Sequence, residues 1–395
     1  MKDDNIVIVS AKRTPIGSFE GDLSNFKATE LGSLVLKNNI EESKLKSEDI
    51  DEVIMGCVLP AGLGQAPARQ VSIGAKVPVT VGATTVNKMC GSGMKAIMIG
   101  YDSIKSETNN IVAAGGIESM SNAPYILPKV RKGLRMGHNE VKDHMFLDGL
   151  EDVYEEGKLM GSFAEDTAEY YQFSREQQDN FSIESLLKAK KANNNGSFKN
   201  EMIPIALTIR KKNKVIDKDE QPFKADIEKI PHLRPAFRKN GTVTAANSSS
   251  ISDGAASIIL MRESVADKKG IKPIAKIISH ATNSHEPNWF TTAPIGAIGK
   301  LLEKSNWKKT DVDLFEVNEA FAVVPMAVIK ELSIPKEILN INGGACALGH
   351  PVGASGSRIV ATLLNSLRNN NLKRGIASLC LGGGEATAIS MELID

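Results

Sequence analysis

Two cysteines and a histidine stand among glycines at the ends of short apolar runs. Cys90 lies in Lys88-Met89-Cys90-Gly91-Ser92-Gly93, His350 in Leu348-Gly349-His350-Pro351, and Cys380 ahead of Leu381-Gly382-Gly383-Gly384. Asn318-Glu319 closes a fourth apolar run. A thiol paired with an imidazole is an activated nucleophile with its base. A cysteine hydrolase needs only one thiol, so the second suggests divided labour: one carries an acyl group as a thioester, the other moves a proton at carbon. Asn318 and the backbone N–H groups around Cys90 and Gly382 are donors that could hold charge developing on a carbonyl oxygen. Removing one such donor commonly costs about 3–4 kcal/mol. Each residue also has an ordinary reading. A buried structural cysteine is the commoner fate of a thiol, and a lone histidine more often packs or faces solvent. Asn318 could simply cap a helix, and Cys380 in an apolar strand reads as core.

The elements that must hold these residues are legible in outline. The β-prone run Ala83-Thr84-Thr85-Val86-Asn87 meets a glycine turn and then the helix-competent run Met94-Lys95-Ala96-Ile97-Met98-Ile99. That junction predicts Cys90 at a helix N-terminus. Unpaired N–H groups and the helix dipole favour an anion there, which lowers a thiol's pKa. Strands are expected over 6–10, 53–59, 111–116, 256–261, 274–279, 312–317 and 338–342, and helices over 28–38, 65–75, 95–106, 294–302 and 357–369. A helix carrying Pro325 near its start or at a kink follows Asn318, and 375–382 with 385–393 reads as a terminal hairpin. Strands alternating with helices imply an α/β fold with a largely parallel sheet. The order strand, glycine elbow, helix, strand occurs twice, over 85–116 around Cys90 and over 338–384 around His350. An internal duplication would set the two elbows face to face.

Between about 119 and 242 charges, Asn and Gly accumulate, yet apolar anchors such as Met145, Phe146, Leu147 and Met160 persist. This reads as an insertion lying over the core rather than a linker. Ser174-Arg175-Glu176-Gln177 fits a capping box opening a helix through 192. The chain has 395 residues, room for a large core and two domains. Lys and Arg number 48 against 47 Asp and Glu, so no net field points to nucleic acid or an anionic membrane. The four cysteines lack C-x-x-C pairing, which argues against structural zinc and against a secreted disulfide scaffold. No signal-peptide pattern and no membrane-length apolar run is present, so the expectation is a cytoplasmic protein.

The sequence resembles the thiolase family. The resemblance is carried by Asn87-Lys88-Met89-Cys90-Gly91-Ser92-Gly93-Met94-Lys95-Ala96, Gly115-Gly116-Ile117-Glu118-Ser119-Met120-Ser121, Gly241-Thr242-Val243-Thr244-Ala245-Ala246-Asn247, Asn318-Glu319-Ala320-Phe321-Ala322, Asn342-Gly343-Gly344-Ala345-Cys346-Ala347-Leu348-Gly349-His350-Pro351 and Cys380-Leu381-Gly382-Gly383-Gly384. These span the chain in the family's order. The resemblance implies a duplicated five-layer α/β/α/β/α core: an N-terminal half of 1–118 with 243–268, a loop domain of 119–242 covering coenzyme A, and a C-terminal half of 269–395. It implies Cys90 as acyl-accepting nucleophile, His350 as its base and Cys380 as the acid/base for the leaving thiolate and the α-proton. One oxyanion hole would be a water held by Asn318 together with His350 Nε2, the other the N–H groups of Cys90 and Gly382. Two acetyl-CoA would give acetoacetyl-CoA plus CoA, reversibly, with no metal or other cofactor, in a homodimer or homotetramer. Met160, Ser249, Ala320 and Phe321 match pocket positions. Leu159 stands where many short-chain biosynthetic members carry His, and Phe223-Lys224-Ala225-Asp226 where an Arg-Pro segment commonly meets adenine, so that Lys224 or nearby basic residues would substitute. A degradative 3-ketoacyl-CoA thiolase is the alternative within the family. A non-catalytic acyl-CoA or lipid carrier on the same scaffold lies outside it. A ketoacyl synthase would need a second base histidine where Cys380 stands.

Overall fold

The computed structural model describes residues 4–209 and 212–394. The first three residues of the N-terminus that was weighed for a signal peptide lie outside that range. One continuous sheet runs through the molecule in the order Leu314–Val317, Arg374–Leu381, Glu385–Leu393, Ala275–Ser284, Ile6–Arg13, Ser252–Arg262, Ile111–Ser119, Glu52–Gly56, Gly82–Val86. It is two half-sheets touching at a seam. Ile6–Arg13 meets Ala275–Ser284 through only Val7 with Lys276 and Ile8 with Ala275.

Alternation along the strands assigns each face its layer, because successive side chains point to opposite sides. Val7 and Val9, Ala113, and Ile259 and Met261 face the helices Ala28–Glu42 and Pro67–Gly74 on the outside of the N-terminal half. Ile6 and Ile8, Val112 and Ala114, and Ile258 and Leu260 face inward, onto the helices Ser92–Lys105 and Val352–Asn369. Ala377 and Leu379 of the C-terminal half meet those same two helices from the other side. Ile376 and Cys380 face outward onto Ala293–Ser305 and Val323–Leu332. The result is helix, sheet, helix pair, sheet, helix.

Three expectations change. The sheet is mixed rather than largely parallel. Leu314–Val317 with Arg374–Leu381, and Glu52–Gly56 with both its neighbours, run parallel, but the remaining pairings are antiparallel. Strands joined by the tight turn through Gly383 and Gly384 (φ +91° and +84°) must run antiparallel. The run 338–342 is no strand. Asn340 turns left-handed (φ +47°), and its side chain replaces a strand neighbour, accepting from Val317 N–H at 2.9 Å and donating to Val317 C=O at 2.8 Å. The helix after His350 begins at Val352 rather than 357, so Gly353 and Gly356 lie inside it. Pro325 occupies the first turn of Val323–Leu332, where a missing N–H costs nothing.

Within the segment 119–242, Ser174 Oγ accepts from Gln177 N–H and opens Arg175–Asn195 as the spacing predicts. Among the described residues no helix is long and apolar enough to cross a membrane.

Candidate active site

Cys90 sits at a strand-to-helix elbow. Gly82–Val86 ends, Met89 takes the left-handed conformation (φ +46°), Gly91 caps, and the helix starts at Ser92. A non-glycine residue in that region is strained and persists only where its surroundings fix it. Ser92 does so, its Oγ accepting from Lys88 N–H at 2.8 Å and donating to Met89 C=O at 2.6 Å. Gly91 is required by close approach: a Cβ there would meet Leu381 Cδ2 at 2.5 Å. The elbow thus presses directly on the end of Arg374–Leu381. The backbone N–H groups of Gly382 and of Cys90 itself favour a charge on the Cys90 sulfur.

The expected low thiol pKa is not what the structure holds. Burial pushes Cys90 up to about 11, and the two N–H donors recover only part of that loss. Desolvation outweighs the helix terminus because the sulfur is enclosed, although the residue as a whole is half-buried. Cys380 is fully buried, its thiol pushed well up by burial and then by the Cys90 charge. The two sulfurs therefore lie within electrostatic reach of one another.

His350 follows Gly349 at the other elbow. Its N–H donates to Ser250 C=O at 3.1 Å and its ring is buried. Ser355 Oγ donates to Pro351 C=O at 3.0 Å, so at 2.5 Å from Nδ1 it can only accept. That places the proton on Nδ1 and leaves Nε2 with its lone pair. Asn318 Nδ2 faces Nε2 at 3.5 Å, and Arg358 Nη2 donates to Asn318 Oδ1 at 3.1 Å. Burial, then the Arg358 charge, push His350 down to about 3, so the ring is neutral near pH 7 and free to take a proton.

The two elbows are joined by the crossing of their helices. A Cβ on Gly93 would stand 2.8 Å from Ser357 Oγ and 2.9 Å from Gly353 C=O; one on Gly356 would stand 2.4 Å from Met94 N. Cys90 and Val352 also pack on one small cluster with Val58, Leu59, Met120 and Met145. Beneath it, the buried Glu118 accepts from Val58, Leu59 and Gly353 N–H at 3.0, 3.2 and 2.9 Å and ties the halves together.

A buried neutral imidazole on one elbow, and on the other a thiol with a second thiol in electrostatic reach, are groups that acyl transfer through a thioester can use. Residues 6–264 match the family model for the thiolase N-terminal domain and 271–393 the one for the thiolase C-terminal domain. The chain belongs to the thiolase family. It is 47% identical, over 98% of its own length and 94% of the other's, to a probable acetyl-CoA acetyltransferase of Dictyostelium discoideum. It is 46% identical to an acetyl-CoA acetyltransferase of Allochromatium vinosum, with 99% of each chain covered. The solved Acat5 thiolase of Ascaris suum, in complex with coenzyme A, superposes with a TM-score of 0.93 at 43% identity, covering 99% of this chain and 100% of that one.

The candidate substrate contacts of this thiolase fall into two groups. Met160 opens the helix Met160–Tyr171, and its Sδ lies 3.5 Å from where a Cβ on Gly382 would stand, with Met89 Cε at 3.6 Å. Ala320 and Phe321 are buried, Ser249 N–H donates to Ala320 C=O at 2.9 Å, and Phe321 meets Phe237 edge to face. Lys224 is separate. It pairs with Glu220 at 2.6 Å and borders a cavity of about 300 Å³ lined also by Asp226, Leu233, Ala246, Ser250 and Cys346, but by neither Cys90 nor Cys380. Sequence reasoning missed Ser355, Arg358 and Glu118 as parts of the site. All three stand inside or beside motifs that had been noticed, but only side-chain direction reveals what they touch.

Proposed function

We propose that this thiolase is an acetyl-CoA C-acetyltransferase. The observation that carries the reading is the Cys90 elbow pressed against Leu381 at the end of Arg374–Leu381, the strand that also carries Cys380, with the two thiols in electrostatic reach. His350 Nε2 takes the Cys90 proton as the sulfur attacks the acetyl carbon. Burial disfavours both the Cys90 thiolate and the His350 imidazolium, so the pair rests neutral. Proton transfer therefore accompanies S–C bond formation. The departing CoA sulfur takes the Cys380 proton, leaving a thiolate. That thiolate removes an α-proton from a second acetyl-CoA, whose carbanion attacks the acetyl-Cys90 carbonyl. Acetoacetyl-CoA leaves, and the Cys90 sulfur recovers its proton from His350. The oxyanion of one thioester is held by the Cys90 and Gly382 N–H groups, the other beside Asn318 and His350 Nε2. CoA is substrate and product, and no step calls on a metal or redox group.

The same reading takes 119–242 as a loop domain over the pantetheine arm, supported by Met160 beside Gly382, with Lys224 toward the nucleotide. The halves are 1–118 with 243–268, and 269–395. Homodimer or homotetramer assembly fits the edge strand Gly82–Val86, which among the described residues pairs on one side only. A cytoplasmic site fits four free cysteines.

Intact-protein mass spectrometry after acetyl-CoA treatment tests this: one acetyl adduct on the wild type and none on Cys90→Ala. An unmodified wild type would mark a carrier. A kcat/KM for longer 3-ketoacyl-CoAs well above that for acetoacetyl-CoA would assign the chain to fatty-acid degradation instead.

A further inference from the structure

We propose that Arg358 is a positioning residue of the reaction, which sets the direction in which the Asn318 amide meets His350. The proposal rests on the roles given above to Asn318 and His350. Arg358 is 2% exposed and lies one turn beyond Ser355 on the helix Val352–Asn369, so both side chains leave the same face. Its Nη2 donates to Asn318 Oδ1 at 3.1 Å, whereas Nε and Nη1 find no hydrogen-bond partner among the described residues. The nearest carboxylate oxygen recorded, Glu316 Oε2, stands 3.9 Å from Nη1. Burial pushes Glu316 up to about 8, so near pH 7 it is largely protonated and competes weakly for the guanidinium.

The two ends of a primary amide are nearly equal in size, so only hydrogen bonding decides which end faces where. The Asn318 backbone is fixed by its N–H bond to Ser378 C=O at 3.0 Å, leaving rotation of the side chain. A guanidinium has donors and no acceptor, so it selects Oδ1 and turns Nδ2 toward His350 Nε2. The opposite rotamer would set N–H against N–H at Arg358 and oxygen lone pair against nitrogen lone pair at His350. The first clash is removed if Arg358 is removed, and the flipped amide then becomes available. A flipped amide favours protonated His350, and a protonated imidazole cannot take the Cys90 proton. Ser355 sets the imidazole's outer nitrogen and Arg358 the group at its inner one, from a single helix.

The test is a double-mutant cycle on acetoacetyl-CoA thiolysis, with kcat and KM measured for Arg358→Met in the wild type and in Asn318→Ala. Arg358→Met alone is expected to lower kcat about 10- to 100-fold with KM changed by no more than about threefold. In the Asn318→Ala background it is expected to cost no more than about twofold further. Arg358→Lys, which keeps the charge in the buried site, enters the same cycle in case the methionine variant fails to fold, and its loss must collapse in the same way. An equal loss in both backgrounds, or a loss confined to KM, overturns the proposal and reduces Arg358 to a structural charge. An Asn318→Ala enzyme with wild-type kcat would instead overturn the site reading beneath it.

Discussion

Burial pushes the Cys90 thiol up to about 11 and the His350 imidazole down to about 3, and the common cause is that each charged form loses water. In the mechanism proposed above the site rests neutral and develops charge only beside N–H donors, which is where such donors are most effective. Keeping Nε2 unprotonated falls to Ser355, which has no proton left for Nδ1. Ser355→Ala should strand the Nδ1–H in a buried site and lower kcat about 10- to 100-fold with KM nearly unchanged, measured by steady-state thiolysis. Glu316 offers a test through stability. Its carboxyl rises from 4.5 to about 8 on burial, so the folded chain keeps a proton that the unfolded chain releases first. As pH climbs through that window the wild type loses stability, and the loss is complete above about pH 8. The stability difference between wild type and Glu316→Gln, followed by urea denaturation at pH 5, 6.5 and 8, should shift steadily in favour of the variant.

Two helices that cross at glycines hold the elbows together. Gly93 faces Gly353 and Ser357, and Gly356 faces Met94, at distances that leave no room for a methyl group. Gly93→Ala should force the helices apart and destabilise by about 1–3 kcal/mol, with activity falling alongside, as read by urea denaturation and thiolysis. Gly299, inside the helix Ala293–Ser305, has nothing within 4 Å of an added Cβ. Gly299→Ala should stabilise by roughly 0.5–1 kcal/mol with activity untouched. The contrast separates packing from propensity, because both changes have the same helix preference. Asn340 makes a related point: an amide side chain can stand in for a strand's backbone where the chain must turn away.

Across the whole molecule the segment 119–242 is tied to the first strand by buried charge. Arg13, at the end of Ile6–Arg13, meets Glu201 Oε1 and Asp219 Oδ1 at 2.6 Å each, all three out of solvent. Thr362, on the helix that carries Arg358, bonds the same Glu201 at 2.9 Å. The segment is thus bonded both to the strand Ile6–Arg13 and to the helix Val352–Asn369 that carries Ser355 and Arg358. Removing one member of such a cluster leaves an uncompensated charge, so Arg13→Met should cost about 3–5 kcal/mol in chemical denaturation. The double change Arg13→Met with Asp219→Asn should recover part of that loss.

Local chemistry in the chain was enough to read the motifs, the capping box at Ser174 and the strand-to-helix elbow at Cys90, since each depends on neighbours within a few residues. It was also enough to single out Cys90, His350, Cys380 and Asn318. Three things waited on the folded chain. The run 338–342 has strand composition, but Asn340 bonds to Val317, more than twenty positions away. The sheet is mixed because strand direction depends on where partners return from. The Cys90 thiol goes up rather than down because desolvation is set by everything packed around the sulfur, including the end of a strand nearly three hundred residues later. Ser355 and Arg358 belong with these: their types were visible, but what a side chain faces is decided by packing between elements, and no local pattern contains it.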